Sequence, residues 1–216
     1  MRQTCAPALG AGASMRSCPA GDSRCWPSLL IACTLALAFS TAGPAHALGT
    51  RAAASPAKCL DGEKDSRGRS SVDDGEIAWE DETRYDDARG HAVRVWTGSG
   101  FGKVRMPADD ASRIADLEWA DVNTAKGQWK DVGAAWTPLP GTDSIRMNRA
   151  YLAGGRKLGT PEKRRMVAAH ELGHALGFCH KSPDWYATLL APNVRDIPPS
   201  GKPASRDRSN YRALWG

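Results

Sequence analysis

Histidine is scarce in this chain, five residues among 216, so a protein with several imidazole-built metal sites is not expected. Methionine does not occur after Met166. Long apolar runs are missing as well. The clearest one, Leu29–Phe39, falls short of the roughly 20 residues a membrane helix needs, which argues against stable membrane insertion. There is no dense basic stretch and no basic series interleaved with aromatics. With a net charge of only +5, no nucleic-acid partner is expected. No repeat of solenoid length is visible.

What is present begins with a leader. Arg16 and Arg24 precede the apolar Leu29–Phe39, and Ala45-His46-Ala47 follows as an A-x-A cleavage site, the pattern of a secretion signal over residues 1–47. Met15 would serve equally well as its start. Leu30-Ile31-Ala32-Cys33 also resembles a bacterial lipobox, so a lipid anchor at Cys33 is the alternative to a secreted, extracellular protein. Removing the first 47 of 216 residues leaves 169, a normal size for one domain. The leader carries three arginines and one aspartate, so the charge falls from +5 to +3. Four of the six cysteines leave with it. Cys59 and Cys179 remain, an even pair in an oxidising compartment, and a disulfide between them is expected. The alternative is a Cys59 thiolate that caps a metal in a latent form.

Residues 48–74 are polar and small, and read as a flexible lead-in or short pro-segment. Residues 75–216 then form the functional domain. Glu76–Glu80 alternates like a strand. Tyr85–Trp96 has helical spacing, with Asp86 and Asp87 suited to its positive end. Lys103–Met106, Ile114–Val122 and Ser144–Asn148 are further strand candidates, and Pro138–Gly141 is a turn or extended edge. A helix starts at Thr160 as N-cap with Pro161 in its first turn, and its apolar face carries Ala168, Leu172, Ala175 and Leu176. A closing helix spans Ser205–Trp215, capped at Ser205.

Three of the four histidines outside the leader lie in His170-Glu171-Leu172-Gly173-His174-Ala175-Leu176-Gly177-Phe178-Cys179-His180. His170 and His174 are one helical turn apart and point the same way. Gly177 can take a positive φ, end the helix and return His180 as a third metal ligand. A fourth tetrahedral position stays open for water, and Glu171 is placed to take its proton. The metal residues are thus His170, His174 and His180, the catalytic residue Glu171, and the cofactor one Zn²⁺.

The motif H-E-x-x-H-x-x-G-x-x-H resembles that of the metzincin zinc endopeptidases, and more closely their matrixin-like branch and its small secreted bacterial relatives. The resemblance covers roughly Glu76–Gly216, including an Arg212-Ala213-Leu214-Trp215-Gly216 ending similar to the A-L-Y-G of matrixins. It implies an α+β zincin fold: a mixed twisted sheet, an active-site helix and a small C-terminal subdomain after Gly177. It also implies a secreted metalloprotease acting on a protein or peptide substrate, held along an edge strand near Ser144–Asn148. Matrixins bind further zinc and calcium. With only His91 to spare, a second histidine-rich zinc site is not expected, whereas calcium through scattered aspartates stays open. The chain departs from the family in one respect: the methionine turn beneath the metal has no methionine here. Leu189-Leu190 stands in its place, and Leu190 is expected to floor the site. The competing function is a non-catalytic secreted binding protein with a structural zinc, which would have no use for Glu171. A third is a peptidase of narrow substrate range. The oligomeric state is not legible.

Overall fold

The computed structural model describes residues 54–184 and 187–216, so the expected leader, its expected cleavage site and Cys33 lie outside the described residues. The chain is α+β. A four-stranded mixed sheet is built from β1 (Trp79–Asp81), β2 (Leu117–Val122), β3 (Ala134–Thr137) and β4 (Asp143–Asn148). Its order is β1-β2-β4-β3, with β1, β2 and β4 parallel and β3 antiparallel to β4. Against it packs α3 (Pro161–Ala175), and α1 (Asp86–Thr97) packs on α3, while α2 (Arg149–Leu152) is a single turn and α4 (Ser205–Trp215) closes the chain. No helix of the described residues is long and apolar enough to cross a membrane.

The local chemistry explains the elements. α1 buries Ala88, Ala92 and Trp96, four residues apart, onto α3. The Trp96 indole donates to the Ala169 carbonyl at 2.7 Å, tying the two helices together. Thr160 caps α3 through Lys163 N–H, with Pro161 following as expected. Leu117 and Trp119 on β2 and Ile145 and Met147 on β4 fill the core beneath.

Several expectations need correction. β4 is not an edge strand: it sits between β2 and β3, and the edge on that side is β3, whose four residues are too few to show an alternation. Lys103–Met106 makes no strand, only a single bridge between Glu76 and Arg105. The Lys103 and Val104 amides instead donate to the Tyr211 hydroxyl, which diverts that backbone from a sheet ladder. Ile114 is 87% exposed, because an aspartate turn at Asp110–Arg113 delays β2 to Leu117. α4 is capped at Ala204, not Ser205: the Asp207 carboxylate accepts the Ala204 N–H at 2.7 Å.

The largest correction concerns the polar lead-in. From residue 54 onward it is a strap laid along the end of α3. Ser71 N–H donates to Ala175 O, Ser66 N–H to Gly177 O and Leu60 N–H to His180 O, at 2.8–2.9 Å. A helix leaves its last carbonyls unpaired; the Ser71 amide satisfies that of Ala175, and the other two amides hold the turn and the segment that follow α3. The Cys59–Cys179 disulfide locks the strap, as the even cysteine pair implied, and removes Cys59 as a free thiolate.

Candidate metal centre

α3 carries His170 and His174 on one face, and its C-terminal turn brings in the third imidazole. Gly177 has φ +87°, a left-handed conformation that side chains resist. A Cβ there would also come within 2.3 Å of the Ser66 carbonyl oxygen of the strap. Glycine is therefore needed twice over, once for the turn and once for the packing.

The three Nε2 atoms converge. His174 Nε2 lies 3.0 Å from His170 Nε2 and 3.2 Å from His180 Nε2. His170 Nδ1 lies 2.8 Å from the Leu189 carbonyl and His174 Nδ1 lies 2.7 Å from that of Phe178. A carbonyl can only accept, so both Nδ1 atoms carry the proton and both Nε2 atoms expose lone pairs. Burial foremost drives the pKa of His170 well down, takes that of His174 to about 4, and lowers that of His180, favouring neutral rings. Neutral lone pairs this close repel unless a cation sits among them. Four-coordinate nitrogen ligands at about 2.05 Å from a metal stand roughly 3.3 Å apart. The donor set fits a metal ion, and the three residues expected to gather do gather.

Glu171 faces the same cleft, nearly buried. Its Oε2 accepts the Trp136 N–H at 2.9 Å, which fastens the edge strand β3 beside it. Burial pushes its pKa up to about 8, against the opposing pull of that N–H. Beneath the three histidines lies the Leu189–Leu190 turn. Leu190 is buried against Gly173, where an added Cβ would fall 2.9 Å from a Leu190 methyl, so a leucine does floor the α3 segment between His170 and His174. Asp207 holds this turn from α4, accepting from Leu189 N–H at 2.9 Å and Thr188 Oγ at 2.6 Å. Neither Asp207 nor Trp136 carries a local sequence signal; each reaches the site only through tertiary contact.

The cleft over the triad measures about 1140 Å³ and runs along β3, with Tyr151, Leu158, Val167, Val194 and Ile197 in its walls. His91 stands apart. It is half-buried on α1 and bonded through Nε2 to the Gly201 carbonyl at 2.9 Å, and belongs to no cluster able to hold a metal among the described residues. The one other such cluster there, Cys59, Asp65 and Cys179, has both sulfurs committed to the disulfide. No protein-family model and no curated protein matches this chain.

Proposed function

We propose that this chain is a secreted zinc-dependent endopeptidase of metzincin type, in which His170, His174 and His180 hold the ion and Glu171 is the general base. The observation that carries the reading is the convergence of three imidazole nitrogens, two with tautomers set by backbone carbonyls, beside a buried carboxylate. A zinc ion held there would supply a Lewis acid able to polarise a carbonyl and acidify water. A cation held by the three histidines would favour the ionised, proton-accepting form of Glu171 beside them. Glu171 then takes the proton from water and returns it to the leaving amine. Edge strand β3 offers backbone groups to an extended peptide, and its tie to Glu171 sets that peptide's height over the base. Zinc fits the all-nitrogen donor set better than calcium, which takes oxygen.

The test is metal analysis of the purified protein, with cleavage of casein or a peptide library measured with and without chelator. Glu171→Gln should keep zinc and lose hydrolysis by about 10²–10⁴-fold, since it removes a base and no ligand. Cleavage by Glu171→Gln at the wild-type rate refutes the assignment of the base. A wild-type protein that holds zinc and cleaves no peptide refutes the enzyme and leaves the binding protein with a structural zinc.

A further inference from the structure

Lys181, next to the third ligand, is completely buried. Its ammonium lies 2.6 Å from Asp65 Oδ1, 3.0 Å from Cys179 Sγ and 3.3 Å from Cys59 Sγ. The same Asp65 oxygen accepts the Cys179 N–H at 3.1 Å. One carboxylate of the strap thus grips both residues that flank His180. Lys181 N–H in turn donates to the Leu190 carbonyl at 2.9 Å, which joins this grip to the floor under His170 and His174.

A buried ion pair is a poor way to gain stability, because desolvation offsets much of the attraction, and an apolar side chain at 181 would pack at less cost. The disulfide already ties the strap to Cys179. What the ion pair adds is direction: it restrains the chain on the far side of His180, where the disulfide does not act. We propose that Asp65 is a positioning residue for the third metal ligand, fixing His180 through Lys181 and the Cys179 amide. This rests on the reading of His180 as a ligand, and not on peptide cleavage.

The experiment follows zinc loss from the loaded, full-length protein into excess chelator, together with the visible spectrum of the cobalt-substituted form. The variants are Asp65→Asn, Lys181→Met and the double variant, each checked for a closed disulfide. Outer-shell partners of metal ligands typically control affinity by 10–100-fold, so zinc loss should quicken by about that factor, with a changed cobalt spectrum. Asp65→Asn strands a buried ammonium and can fail to fold. The double variant carries no unpaired charge, keeps the side-chain volumes, and should still lose zinc quickly. A double variant with wild-type zinc retention and cobalt spectrum overturns the proposal, even with a lower melting temperature, because the pair would then be a structural staple. A wild-type protein that binds zinc and cobalt but cleaves nothing removes the endopeptidase reading and leaves this comparison intact.

Discussion

Gly177→Ala probes the joint between α3, His180 and the strap. With φ at +87°, an alanine costs about 1–2 kcal/mol in backbone energy alone. Its Cβ would stand 2.3 Å from the Ser66 carbonyl oxygen and 3.1 Å from the carbonyl carbon. These are backbone atoms, which cannot rotate aside as a side chain does. The strap must retreat by roughly 1 Å to reach ordinary C···O contact. That retreat breaks the Ser66 N–H bond to Gly177 O, worth about 0.5–1.5 kcal/mol, and adds overpacking strain of about 1–3 kcal/mol. The total is about 2.5–6.5 kcal/mol. Gly62→Ala is the control. Gly62 also has a positive φ, +73°, but a Cβ added there meets nothing within 4 Å, so only the backbone cost of about 1–2 kcal/mol applies. The assay is urea unfolding of the metal-free, disulfide-closed protein at one pH. If Gly177→Ala costs no more than Gly62→Ala, the strap does not pack on the turn and the reasoning fails.

Leu190→Met should leave zinc content and stability within about 1.5 kcal/mol of wild type, because volume is kept, whereas Leu190→Asp buries an unpaired charge and should empty the site; an aspartate variant with full zinc content by metal analysis places the floor elsewhere. Replacing Cys59 and Cys179 together by alanine should cost about 2–5 kcal/mol in chemical denaturation, since the bridge closes a loop of sequence separation 120. A loss well under 1 kcal/mol would mean that the strap holds without it. Burial lowers the His91 pKa, so the unfolded chain takes up a proton near pH 6.5 while the folded one resists. Its contribution is therefore complete above pH 6.5 and lost as pH falls toward the depressed folded value. In His91→Gln the stability of the metal-free protein should fall less steeply below pH 6.5 than in wild type, and equal slopes would refute this.

Local pattern alone determined the parts of this protein whose causes are local. The spacing of His170, His174 and His180 is a property of helix pitch and one glycine, and the three rings meet as that spacing requires. The span of α3 follows from Thr160, Pro161 and the apolar face, and that of α1 from its helical period. The cysteine pairing was legible because only two cysteines follow the expected leader. Tertiary structure alone decided the rest. Strand order does not follow from the strand sequences, since β3 and β4 each satisfy their own pairing whichever becomes the edge, and packing on α3 chose β3. The strap has almost no apolar residues and so no periodicity to read; it is held by backbone amides that pair with the last carbonyl of α3 and with those of the turn and segment after it, a need that resides there and not in the strap. For the same reason Asp65, Trp136 and Asp207 could not be picked out among the other acidic and aromatic residues. Their roles arise from partners 114, 35 and 18 positions away in the chain, and only folding sets those distances.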